Sequence, residues 1–99
     1  MPATDVARRI NTAAALLTAA GRADIDPGAS LHCLLAAEHL RVAGADPSRW
    51  AAIAADTVDQ TIRTALAHLA TLPPEVFATD DILAAAAAAR TALVRADHG

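Results

Sequence analysis

Two Asp-Pro pairs, two glycines and one Pro-Pro cut this chain into four segments of helix length. Asp26-Pro27 and Asp46-Pro47 are start signals. The aspartate accepts a hydrogen bond from a first-turn N–H, and the proline supplies the fixed φ of a first helical position. Gly21 and Gly44 are stop signals, because a residue without Cβ enters the left-handed C′ conformation freely. The first helix is expected after Thr4, a fair N-cap, with Val6, Ile10, Ala13, Leu17 and Ala20 as its apolar seam. The second runs from Pro27 toward Gly44. The third meets no breaker between Asp46-Pro47 and Pro73-Pro74, which gives it some 25 residues, or about 37 Å. The fourth begins at Thr79 and ends near Asp97, with Asp80 and Asp81 in its first turn, where negative charge suits the helix dipole. No segment alternates apolar and polar residues over a strand's length. The expected fold is all-α: one domain over 1–99, a four-helix antiparallel up-and-down bundle with one over-long third helix.

The core of such a bundle is thin. Alanine fills 29 of the 99 positions, and Trp50 and Phe77 are the only aromatic side chains. Alanine adds little apolar area per residue. Burial against a second copy adds more, and the end of an over-long third helix overhangs a monomer unless it docks on something. The run Ala84 to Ala89 also suits a close helix contact. A homodimer is therefore the expected state, with Trp50, Ala86, Ala89 and Leu93 as its interface residues. A kinked third helix folding back on a monomer is the alternative.

Charge and composition exclude several functions. The formal net charge is -3, all eight basic residues are arginine, and no run of like charge exceeds two residues. A stripe that tracks phosphates is thus missing, and nucleic acid is not an expected partner. No run of about 20 strongly apolar residues exists, so a membrane is not expected either. Arg8-Arg9 ahead of the stretch Ala13 to Ala20 superficially resembles a signal peptide, but Asp5 and the prevalence of alanine weigh against it. Cys33 is the single cysteine, so no intrachain disulfide supports secretion. A cytoplasmic location is expected, and the Ala-rich, Arg-only usage fits a GC-rich bacterial genome.

The second helix carries the most informative chemistry. At about 100° per residue, Leu31, Leu34, Leu35 and Val42 share one face, with Glu38 near its centre. Cys33, Ala36, Ala37 and Leu40 form a second apolar face opposite, as in a central helix. Glu38 then has three readings: a solvated residue at a drifting helix end, an ion pair with an arginine such as Arg9, or a ligand or acid/base group. His32, His39 and His68 are the accompanying ligand candidates. None of the histidines has a second ligand type three or four residues away, as one-helix chelation requires. His32 and His39 stand about 10 Å apart along the helix, too far to share an ion unaided. No metal and no cofactor are expected, and the Glu-x-x-His motifs of ferritin-like di-iron bundles are missing. His39 and His68 also suit their places near helix C-termini.

Asp56, Asp59, Gln60 and Arg63 read as a solvated face of the third helix, with Asp59 and Arg63 in the favourable i to i+4 orientation. Cys33 reads as a small buried apolar residue with nothing nearby to lower its pKa. Glycine-rich phosphate loops, nucleophile elbows and Cys-x-x-Cys pairs are missing, so no catalytic residues are assigned. The expected function is a non-enzymatic helical bundle acting through self-association and binding of a protein partner. The alternative is a small-ligand or metal-binding bundle around Glu38 and His39.

Overall fold

Local capping chemistry sets the helix starts. Asp26 Oδ2 accepts the Ala29 N–H at 3.0 Å, and Pro27 opens the helix behind it, as the Asp-Pro signal predicts. The computed structural model describes residues 3–23, 26–46 and 57–98. Among them are α1 (Ala3–Gly21), α2 (Pro27–Val42), α3 (Val58–Ala70), the single turn α4 (Pro74–Phe77) and α5 (Asp80–His98), with no strand. Gly44 ends the α2 segment at φ 119°, a conformation reserved for glycine, and Ala45 N–H closes the turn on the Leu40 carbonyl at 2.9 Å.

The over-long third helix is corrected. Thr57 is extended, with ψ 152°, and its side chain accepts the Gln60 N–H at 3.4 Å, so a separate 13-residue helix of about 20 Å starts at Val58. The helix drawn from Pro47 therefore cannot continue through Thr57. The stretch 47–56, which includes Trp50 and Asp56, lies outside the described residues. The overhang argument for a dimer falls with the long helix.

The up-and-down connection is the second correction. α1 packs on α2 and α3, and α5 packs on the same two, so α1 and α5 occupy opposite corners of a square. Contacts at the ends fix the directions. Ser30 Oγ donates to the Gly21 carbonyl, and Asp46 N–H donates to Asn11 Oδ1 at 2.7 Å, which makes α1 and α2 antiparallel. Arg9 donates to Thr71 Oγ1, so the end of α3 lies beside the start of α1. His39 Nδ1 lies 3.5 Å from Asp81 Oδ1, while a Cβ built on Gly28 would sit 2.6 Å from the Arg95 guanidinium, which makes α2 and α5 antiparallel. Every pair of adjacent helices is antiparallel, yet α2 and α3 lie on the diagonal and run parallel. The end of α2 and the start of α3 therefore lie at opposite ends of the bundle, which a strict up-and-down order does not allow.

The core sits between α1, α2, α3 and α5. Leu17, Cys33, Leu40, Ile62, Leu69 and Ile82 are fully buried, and alanines such as Ala13, Ala36, Ala65, Ala85 and Ala92 fill the spaces between them. Half-buried Phe77 packs against this cluster from α4.

Gly44→Ala isolates backbone strain, because an added Cβ meets nothing within 4 Å. We expect it to cost about 1–2 kcal/mol from the left-handed conformation alone. That corresponds to a fall in Tm of roughly 4–16 °C in a calorimetric scan. An unchanged Tm would show that the turn relaxes without strain.

Candidate functional site

Helical spacing puts Glu38 where the sequence places it, among Leu31, Leu34, Leu35 and Val42, but the face is turned outward. Leu31 is 56 % exposed, Leu34 41 %, Leu35 44 % and Val42 60 %. Only the opposite face, with Ala29, Cys33, Ala36, Ala37 and Leu40, enters the core. The reading of α2 as a central helix is thereby corrected: it is a corner helix with an apolar outer face. Its large side chains stay outside because Ala and Cys on the inner face allow α1 and α5 to approach closely. Leu34 is the partial exception. It lies across the end of α1, where a Cβ built on Gly21 would fall 2.7 Å from Leu34 Cδ2.

Glu38 is solvated and paired. Arg41, one turn on, donates from Nε to Oε2 at 2.9 Å and from a terminal nitrogen to Oε1, a two-bond clamp. Its partner is Arg41 and not Arg9, which instead holds Thr71. The Arg41 hydrogen bonds, aided by its charge, hold the Glu38 carboxyl below its ordinary pKa. A carboxyl lowered in the folded state contributes stability above its ordinary pKa and loses it on acidification through the lowered value. The pair lies at the surface, so this contribution is small.

The histidines do not converge. His32 Nδ1 lies 2.7 Å from the Gly28 carbonyl of its own helix, an arrangement in which the ring nitrogen donates. His39 faces Asp81 across the α2–α5 contact. His68 belongs to α3, diagonal to α2, and lines a cleft with Asp5, Arg8, Arg9 and Thr12 of α1. Glu38, His39 and His68 therefore do not form one site. Among the described residues no group of three or more His, Cys, Asp or Glu could hold a metal ion.

Of the interface candidates, Ala86 and Ala89 are buried inside the bundle, where they let α5 approach its neighbours, and a second copy cannot reach them. Leu93 is half-buried against the core, and Trp50 lies outside the described residues. The alanine run reads correctly as a close-contact face, but the contact is internal. An apolar groove of about 380 Å³ opens at one end of the bundle between Val6 and Ile10 of α1, Ala43, Pro73 and Val76. The chain matches no protein-family model, no curated protein and no solved structure. No described helix is long and apolar enough to cross a membrane.

Cys33 is fully buried, and burial pushes its thiol up from an ordinary 9.0 to about 11. The sequence holds no lysine and no tyrosine, so Cys33 is its only side chain that titrates between these values. An acid whose pKa is raised by folding favours the folded state below its unfolded pKa, and the advantage is lost as pH rises toward the folded one. Stability is thus expected to fall between about pH 9 and about 11 and then level off. Denaturant titrations of wild type and Cys33→Ala check this: the variant should show a flat profile over that window. An equal decline in both would assign the effect elsewhere.

Proposed function

We propose that this chain is a small non-enzymatic helical bundle that acts by binding protein, first a second copy of itself, through the outer face of α2. The observation that supports it most is the set of four half-exposed aliphatic side chains, Leu31, Leu34, Leu35 and Val42, on one helix face. Single exposed leucines are ordinary on a protein surface, but four on one face form a patch. The only charges on this face, Glu38 and Arg41, cancel each other. A neutral face of this kind meets its own copy without like-charge repulsion, and each carboxylate can exchange its arginine for the partner's. A cytoplasmic setting goes with this reading, since the one cysteine is a buried free thiol. Binding of a further protein partner through the same face is the extension of the reading.

Magnitude decides how strong the contact is. Each half-exposed aliphatic side chain stands to gain about half of the ~1.5–3 kcal/mol of full burial. Four on each copy give roughly 6–12 kcal/mol for a symmetric pair, against about 4–15 kcal/mol for lost translational and rotational freedom. The most favourable end of this balance, about 8 kcal/mol, corresponds to a Kd of about 1 μM, so self-association is micromolar at its tightest. Leu35→Glu tests it, because a half-exposed side chain tolerates the charge while the contact does not. Sedimentation equilibrium up to about 1 mM should show a monomer–dimer equilibrium for wild type and monomer alone for the variant. Monomer throughout for the wild type would refute self-association. A dimer untouched by Leu35→Glu would move it to another surface.

A further inference from the structure

We propose that the cleft between α1 and α3 is an oxyanion site that takes the carboxylate or phosphate group of a small ligand. The proposal is independent of the α2 face. The cleft has a volume of about 260 Å³ and is lined by Asp5, Arg8, Arg9 and Thr12 from two turns of α1 and by His68 near the end of α3. That volume suits an anionic head group and is below the roughly 300–1,000 Å³ of pockets that enclose drug-sized ligands.

Three groups there have hydrogen-bonding capacity to spare. Arg8 is neutralised by Asp5, three residues earlier. Arg9 differs: it pairs with no carboxylate among the described residues, and its guanidinium donates to the neutral hydroxyl of Thr71. That oxygen is itself fixed, because Thr71 donates to the His68 carbonyl at 2.7 Å. One acceptor leaves most of the five guanidinium N–H groups of Arg9 free, on a half-buried charge that favours a counter-ion. Two arginines against one aspartate leave the cleft positive on a chain whose formal net charge is -3.

Thr12 supplies the second free donor. Thr18, Thr61, Thr64 and Thr91 each donate their hydroxyl to the carbonyl four residues back. Thr12 makes no such bond, or any other side-chain hydrogen bond, with a described residue, so its O–H remains for an occupant of the cleft. The His68 ring likewise bonds to no described residue and lines the same space. Arg9, Thr12 and His68 together offer a planar cation, a hydroxyl and an imidazole N–H to one oxyanion. Asp5, the one carboxylate present, is held by Arg8 and leaves the Arg9 side open to the ligand.

Heteronuclear NMR titrations with inorganic phosphate and, separately, with sodium acetate test the proposal at constant ionic strength. Saturable shifts are expected at the amides around 8–12 and 68–71, and the probe that saturates first identifies the head group. Arg9→Gln should weaken binding at least tenfold, Thr12→Val several-fold, and Arg22→Gln, on an exposed arginine at the far end of α1, not at all. Thr12→Val is nearly isosteric, so it decides alone should Arg9→Gln unfold the chain. No saturation with either probe, or wild-type affinity in both cleft variants, would overturn the proposal.

Discussion

Close approach of helices through alanine is the constraint on which this structure depends. Each of the four long helices contributes small residues to the shared core: Ala13, Ala14 and Ala20 from α1, Ala29, Ala36 and Ala37 from α2, Ala65 from α3, and Ala85, Ala86, Ala89 and Ala92 from α5. Alanine has the best intrinsic helix propensity and loses no side-chain entropy on burial. It therefore compensates in part for the small apolar area it removes from water. The larger fully buried aliphatics, Leu17, Leu40, Ile62, Leu69 and Ile82, are few, and each fills space that alanine cannot. Loss of any of them would leave a cavity whose alanine-bearing neighbours have little side chain with which to collapse into it. The fold is held by backbone proximity more than by bulk.

This explains which parts of the molecule were legible in the sequence. The Asp26-Pro27 start, the Gly44 stop and the span of α5 follow from local backbone chemistry, and local chemistry is what a sequence displays. The break at Thr57 was also displayed: Thr57-Val58-Asp59-Gln60 has the spacing of a capping box. Against it stands the absence of proline or glycine between Pro47 and Pro73, which favours one continuous helix. A helix continuous through Thr57 implies a short turn at Asp46-Pro47, with α2 and α3 as antiparallel neighbours. The diagonal, parallel pairing could not be seen, since it depends on which long-range faces meet.

The site was legible in its grouping and not in its direction. Helical phase placed Glu38 among Leu31, Leu34, Leu35 and Val42, and the structure keeps that grouping. Which of two apolar faces turns inward is a tertiary question. Size would favour burying Leu31, Leu34, Leu35 and Val42, yet the face of Ala29, Cys33, Ala36, Ala37 and Leu40 goes in, because its mostly small residues admit the close contacts made with α1 and α5. Glu38 is consistent with that choice. A carboxylate at the centre of a buried face would cost several kcal/mol without compensation, whereas on the outer face it needs only Arg41. The charged residue and the small residues select the same orientation.

Gly21 links the two halves of this arrangement. Its missing Cβ lets Leu34 lie over the end of α1, with Cys33 Cβ only 3.3 Å from the vacant position. Leu34 is in consequence the least exposed of the four outer aliphatics, and one edge of the α2 face is anchored to the core. The cleft of Arg9, Thr12 and His68 lies instead along the opposite half of α1, against α3, and shares no residue with that face. A bundle of four helices has four outer corners and four lateral grooves, and here a corner is apolar while a groove is positive. The two surfaces are therefore free to be occupied together, and coupling between them would have to pass along α1, from Arg9 to Gly21.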